Sequence, residues 1–261
     1  MGIINVTPDS FYDGGLYLKP DAAIAHGIHL AAEGADILDI GGESTRPGAT
    51  PVSVDEELCR VLPVVRALSR QLSIPISVDT QKPEVARACL DAGAVIINDV
   101  SGLRDPAMID VAATSRAGII VMHMQGTPQT MQLNPHYDNV VHEVRDYLNE
   151  RWKTLTAAQI HPEALAFDPG IGFGKTLEHN LKLLACLEQV APAGRPIVLG
   201  VSRKGLLGQI TGRPRSERLA ASLAVACFAA ARGQAHILRV HDVAATRDAV
   251  LLLEAIDRYR A

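Results

Sequence analysis

Short apolar runs recur along the chain, and each stops at a polar residue before a helix-like stretch begins. The runs read Gly2-Ile3-Ile4-Asn5, Ile37-Leu38-Asp39, Ile76-Ser77-Val78-Asp79 and Val95-Ile96-Ile97-Asn98. They continue as Ile119-Ile120-Val121-Met122-His123, Leu165-Ala166-Phe167-Asp168, Ile197-Val198-Leu199-Gly200 and Ile237-Leu238-Arg239-Val240-His241. Strands of a parallel sheet are covered on both faces and therefore read as near-continuous β-branched runs. Eight strand–helix units in about 250 residues predict a single-domain α/β chain, a (β/α)8 TIM barrel spanning 1–261, with functional groups at the strands' carboxyl ends. The polar stops then form a ring in one mouth.

Helix-like stretches fall at 21–34, 53–72, 82–92, 105–116, 138–158, 177–190, 216–232 and 243–260. Asp21, Ser53 with Glu56 three residues on, Lys82-Pro83, Asp105-Pro106 and Ser216 mark their starts. Gly34, Gly93 and Gly233 sit just past helix ends, where a left-handed backbone is favoured. Connections after helices are short. Those after strands one, two, five, six and seven are longer and rich in Gly, Pro and hydroxyls, the asymmetry of loops that carry function.

Hydrophobic content of 48% suits a sizeable core. Net charge is -4, and no predicted helix carries a Lys/Arg cluster, so no nucleic-acid partner is expected. Arg213, Arg215 and Arg218 sit together before a helix and read as a solvated loop and helix entry. The longest apolar stretch, 219–231, is far short of the roughly 20 residues that span a bilayer. Asn5, Pro8 and Asp9 interrupt any signal-peptide pattern. Cys59, Cys89, Cys186 and Cys227 are scattered without a C-x-x-C pair, which suits small buried hydrophobes in a reducing compartment. A cytoplasmic enzyme is expected.

The loops narrow the chemistry. Asp168 to Thr176 looks like a phosphate-binding P-loop, but the first glycine of that motif falls on Pro169. What remains is an acid at a strand end and a tight glycine loop with one aromatic, Phe173. Gly41 to Gly48 brings glycines plus Thr45 and Arg46, donors suited to an anion. Ser202-Arg203-Lys204-Gly205 is a second donor cluster, in the barrel region that often holds phosphate. Strand alternation puts Arg239 and His241 on one face. Their partner is either an anion such as diphosphate or, more simply, Asp39 or Asp79 in an ion pair. Asp79, Asn98, Asp168 and Lys204 lack close metal-ligand spacing. They suit the edge of a flat heterocycle, whose N–H groups, ring nitrogen and carbonyl meet carboxylate, amide and ammonium.

With these residues in view, the chain resembles the dihydropteroate synthase family of folate biosynthesis. The motifs are Asn5-Val6-Thr7-Pro8-Asp9-Ser10-Phe11, Asp39 to Gly48, Ser77 to Thr80, Asn98 to Gly102, Met122 to Pro128, Asp168 to Thr176, Gly200 to Gly205 and Arg239 to Val243. The resemblance implies a transferase that joins a 6-hydroxymethyl-7,8-dihydropterin diphosphate to 4-aminobenzoate, with Mg2+ assisting. It implies that Asp79, Asn98, Met122, Asp168, Lys204 and Arg239 hold the pterin. Asn5, Thr45, Arg239 and His241 would hold the diphosphate, with Asn5 also near Mg2+. Phe11, Thr45, Arg46, Pro47, Phe173 and Ser202 would shape the aminobenzoate site, where sulfonamides would compete. Asp9 and Asp39 would fix the first two loops, and a homodimer through outer helices is implied.

The chemistry so implied favours dissociative substitution. Diphosphate leaves well once its charge is met, and the methylene cation conjugates with the dihydropterin ring beside Asp79. Aminobenzoate is a weak nucleophile that needs a strong electrophile rather than an activated Ser or Cys. Loop closure would exclude water. Two departures stand out: the first strand starts at residue 2, where relatives carry a short preceding segment, and Tyr12 replaces a small residue. A pterin-binding methyltransferase and a non-catalytic pterin-binding paralogue are the competing readings.

Overall fold

Six strands lie side by side in chain order, all parallel: β1 (Gly2–Asn5), β2 (Leu38–Gly41), β3 (Ile76–Asp79), β4 (Ile96–Asp99), β5 (Gly118–Met122) and β6 (Leu165–Asp168). β7 (Val198–Leu199) and β8 (Ile237–Leu238) form a parallel pair. The computed structural model describes residues 1–7 and 20–259. Two seams join the pair to the sheet. Phe167 N–H donates to Pro196 O at 2.9 Å, and Ile3 N–H donates to Val240 O at 3.0 Å. The sheet thus closes on itself as a barrel, with its edges paired.

Helices α1 (Pro20–Ala32), α2 (Val54–Gln71), α3 (Pro83–Asp91), α4 (Pro106–Ser115), α5 (Val140–Ala157) and α6 (Leu177–Ala185) each follow one strand. α7 (Gly205–Thr211), α8 (Leu219–Ala231) and α9 (Val243–Asp257) complete the ring. Their starts follow local chemistry. Ser53 Oγ accepts Glu56 N–H at 3.2 Å, and Asp105 accepts Ala107 N–H at 2.9 Å. The helices bury their inner faces on the strands, so Leu38, Ile40, Leu68 and Phe167 are fully enclosed between the layers. Inside the barrel, Met1, Ile120, Ala166 and Val198 fill the end opposite the mouth. That fill confines the polar ring to the strands' carboxyl ends.

Three expectations need correction. α7 occupies a stretch with no predicted helix. Ser216 does not start α8, because 215–217 is a 3-10 turn and α8 begins at Leu219. Cys59 is exposed rather than buried, although Cys89 is buried.

Candidate active site

Strand register builds the first part of the mouth. Asn5 pairs with Gly41, Gly41 with Asp79, and Asp79 with Asn98, so four strand ends share one row. Gly41 leaves that row open, since a methyl group placed there would lie 3.3 Å from Asp79 Cβ. Arg239, just past β8, crosses the barrel into the gap. Its Nε donates to Asp39 Oδ2 at 2.6 Å and its Nη2 to Asp79 Oδ2 at 2.6 Å. Asn98 Nδ2 donates to the same Asp39 oxygen at 3.1 Å. Of the two partners open to Arg239, the carboxylates are therefore engaged. Two buried acids flank one guanidinium, and burial pushes Asp79 up to about 7 against the pull of Arg239.

Asp168 and Lys204 supply a second pole. A methyl group on Gly200 would lie 3.8 Å from Lys204 Nζ, 3.9 Å from Asp168 Oδ2 and 4.0 Å from Arg239 Cβ. The charged ends of Lys204 and Asp168 and the base of the Arg239 side chain thus meet on one wall. Burial lowers the Lys204 pKa to about 8, with Asp168 opposing that shift. Burial raises Asp168, while Lys204 and the Gly170 N–H, which donates to Oδ1 at 2.7 Å, act in the opposite sense. Lys204 also donates to the Ile171 carbonyl and sits 4.6 Å from the centre of the Phe173 ring.

Phe173 is placed by a loop that only glycine permits. Gly170 has φ 67°, and a methyl group there would lie 1.9 Å from His123 O. Lys175, the lysine of the P-loop look-alike, points inward. Its ammonium reaches His123 Nδ1 and Gly170 O at 3.0 Å and Phe173 O at 2.9 Å. Burial lowers its pKa to about 7. Thr176 caps α6 by accepting His179 N–H at 3.2 Å. This loop therefore clamps its own carbonyls, and the motif resemblance to a P-loop ends at composition.

Facing that wall is a cavity of about 470 Å3. Asn5, Thr45, Arg46, Pro47, Phe173, Ser202, Lys204, Arg239 and His241 all line it. Asp39, Asp79, Asn98, Met122 and Asp168 are not on its lining. Lys204 and Arg239 are, and Arg239 holds Asp39 and Asp79 behind it. Met122 packs with Met124, Met131 and Phe173. Ser202 Oγ lies 3.0 Å from His241 Nδ1, the spacing of a nucleophile and its base. The same oxygen accepts the His241 backbone N–H at 3.1 Å, and Asp242 is engaged by Arg203, so no acid orients the imidazole among the described residues. Burial lowers His241 to about 4, reinforced by Arg215, Arg239 and Arg203. His241 is neutral near pH 7. Asp9, Phe11 and Tyr12 lie outside the described residues.

Sequence reasoning missed several cavity residues. Gln132, Lys175, Gln209, Arg215 and Arg218 also line the space. Arg215 and Arg218 read as solvated because nothing local shows that the short α7 returns the chain to the mouth.

Among the described residues no group of three or more His, Cys, Asp or Glu gathers as a metal cage. Mg2+ does not require one. It keeps several waters and commonly takes substrate phosphates with one or two protein oxygens. Asn5 faces the cavity, and its side chain has no hydrogen-bond partner among the described residues. An amide oxygen at that place fits such an ion.

A closed parallel barrel whose mouth joins carboxylates, an amide and cations above a cavity of this size defines an enzyme of the pterin-binding class. The family model described as "Pterin binding enzyme" matches residues 1–241. The dihydropteroate synthase of Escherichia coli K12 is 49% identical over 255 residues, covering 98% of this chain and 90% of that protein. The solved Xanthomonas albilineans dihydropteroate synthase with 4-aminobenzoic acid is 51% identical with a TM-score of 0.93, covering 99% and 93% of the two chains. The Yersinia pestis dihydropteroate synthase in a sulfonamide drug complex is 43% identical with a TM-score of 0.93, covering 98% and 93%. The chain belongs to the pterin-binding enzymes, among their dihydropteroate synthases.

Proposed function

We propose that this chain joins 6-hydroxymethyl-7,8-dihydropterin diphosphate to 4-aminobenzoate through the residues of this mouth, giving 7,8-dihydropteroate and diphosphate. The observation that carries the assignment of roles is the convergence of Asp168, Lys204 and Arg239 about Gly200, beside the Arg239–Asp39–Asp79 cluster. Pterin N–H groups face Asp168 and Asp79, Asn98 and Lys204 meet the ring's remaining edge, Met122 packs beside it, and Arg239 stacks on it. Lys204 exchanges the Ile171 carbonyl for the ligand.

Arg239, His241, Thr45 and Asn5 take the diphosphate. Asn5 would hold Mg2+, which when bound neutralises charge on the leaving oxygens. The bond from the methylene carbon to the diphosphate oxygen breaks, and its electron pair departs with diphosphate. Asp79, with Asp39 on the same guanidinium, favours the cation left behind when it carries its negative charge. The aminobenzoate nitrogen then bonds to the methylene and loses a proton to solvent. Ser202, Thr45, Arg46, Pro47, Phe173 and Phe11 form its site, and Asp9 and Asp39 fix the first two loops. Because the amine attacks a cation, the un-oriented Ser202–His241 pair need not act as nucleophile and base. A corrinoid methyltransferase has no use for the anion donors of the second loop, and a non-catalytic paralogue none for the buried cluster.

We read the whole chain, 1–261, as one barrel domain and its compartment as the cytoplasm. No helix among the described residues is long and apolar enough to cross a membrane. α7, α8 and α9 pack side by side and leave Ile210, Phe228, Leu252 and Ile256 exposed. An apolar face of that kind suits a homodimer interface. Leu252→Glu is expected to give monomers by sedimentation, and a monomeric wild type would overturn the dimer.

The test of function is direct. Pure protein with both substrates and Mg2+ should release dihydropteroate and diphosphate in equal amounts, with sulfonamides competing against aminobenzoate. Neither product appearing would refute the assignment.

A further inference from the structure

The arginines around the mouth carry an inference that rests on the two anionic substrates just assigned. Net charge is -4, so the average field of the protein repels a benzoate or a diphosphate. The mouth departs from that average. Arg46, Arg203, Arg215 and Arg218 line the same cavity as Ser202 and Arg239. Among the described residues only Arg203 of these four has a carboxylate partner, Asp242, whose Oδ2 its Nε reaches at 2.9 Å. Arg218 donates to the carbonyls of Arg213 at 3.0 Å, Arg203 at 3.2 Å and Lys204 at 3.3 Å, and has no carboxylate partner among the described residues. Arg46 and Arg215 are exposed, and neither guanidinium has a partner among the described residues. The groups feel one another, because burial first and then Arg46, Arg203 and Arg218 lower the pKa of Arg215.

Several arginines away from the mouth have carboxylate partners. Arg60 pairs with Glu56, Arg145 with Asp146, Arg213 with Glu217 and Arg247 with Asp36. Arg66, Arg70 and Arg87 also lack a carboxylate partner among the described residues, so what sets the mouth apart is that four guanidinium groups gather around one cavity, where they repel one another. A charged rim around a low-dielectric cleft focuses the field and raises the local concentration of oppositely charged ligands.

We propose that Arg46, Arg203, Arg215 and Arg218 form an outer collecting rim that draws carboxylate and phosphate anions to the mouth before they reach Ser202 and Arg239. The rim governs association rather than bond breaking. Its range is a Debye length, about 8–10 Å near physiological salt, so added salt removes its effect.

The test compares wild type, Arg215→Gln and Arg213→Gln between about 0.02 and about 0.3 M salt, at saturating pterin diphosphate and Mg2+. In wild type, kcat/KM for 4-aminobenzoate is expected to fall about fivefold across that range. Arg215→Gln should start about threefold lower, respond less to salt and keep its kcat. Arg213→Gln, off the cavity, should follow wild type. Sulfanilamide has the shape of aminobenzoate but is uncharged at neutral pH, and its inhibition should be equal for all three proteins. Parallel salt dependence in wild type and Arg215→Gln, or equal weakening of sulfanilamide and aminobenzoate, would overturn the rim. Absence of dihydropteroate from every protein would overturn the reaction on which it rests.

Discussion

Arg239 Nη2 lies 2.6 Å from Asp79 Oδ2 although 160 residues separate them, and its Nε lies 2.6 Å from Asp39 Oδ2. The barrel's closing strand therefore supplies the counter-charge for acids on its second and third strands. Two acids share one guanidinium, and burial raises Asp79 to about 7, so the charge of this cluster changes near neutral pH. The same contact ties fold to chemistry.

Arg239→Gln should lower single-turnover rates by about 10²–10³, the usual effect of losing a preorganised electrostatic donor. It should also destabilise the protein by about 3–5 kcal/mol, because buried carboxylates lose their partner. Adding Asp39→Asn should restore much of the thermal stability without restoring turnover. Rates near wild type for Arg239→Gln would contradict its assigned role.

His241 predicts a pH dependence of stability. Burial lowers its folded-state pKa to about 4 from an ordinary 6.5. The unfolded chain takes the proton first, so this contribution is complete above about 6.5 and is lost as pH falls toward about 4. Urea unfolding across that window should show a shallower loss for His241→Asn than for wild type. An identical slope would remove His241 from the account.

The strand ends were legible because a parallel strand covered on both faces has no choice but to be apolar until it reaches the mouth. Asn5, Asp79, Asn98 and Asp168 fall at those ends, and their order in the ring follows from chain order. An ion pair of Arg239 with Asp39 or Asp79 was legible as one of two alternatives, but its choice over an anion, and its reach to both acids at once, depend on how the last strand meets the first. α7 was hidden for a local reason. Gly205-Leu206-Leu207-Gly208-Gln209-Ile210-Thr211 carries two poor helix formers in two turns. Missing it hid that the exposed Arg215 and the half-buried Arg218 border the cavity. Lys175 was visible as a motif lysine, but its inward turn comes from loop closure rather than from sequence spacing.

Gly170 and Gly194 separate steric demand from backbone preference. Both have positive φ, 67° and 73°, but only at Gly170 would a methyl group strike backbone, at 1.9 Å from His123 O. Gly194→Ala should cost about 1 kcal/mol from the left-handed backbone alone. Gly170→Ala should cost several times more and displace Asp168 and Phe173 together, visible as weakened binding of both substrates. Equal thermal shifts for the two variants would contradict the close approach.

Lys175→Met tests the clamp beneath Phe173. The substitution leaves Gly170 O, Phe173 O and His123 Nδ1 without their shared donor, so stability should fall by about 2–3 kcal/mol. KM for aminobenzoate should rise more than kcat falls, because Phe173 shapes that site. A fall confined to kcat would point to a different role for the ammonium.

The most direct test of the central claim is the isotope effect of deuterium on the pterin methylene carbon, measured in single turnovers with saturating aminobenzoate. Departure of diphosphate before attack makes that carbon trigonal, so a clearly normal secondary effect is expected, with deuterated substrate reacting more slowly. An effect of unity on the chemical step would contradict the dissociative reaction and the parts that Asp39, Asp79 and Arg239 play in it.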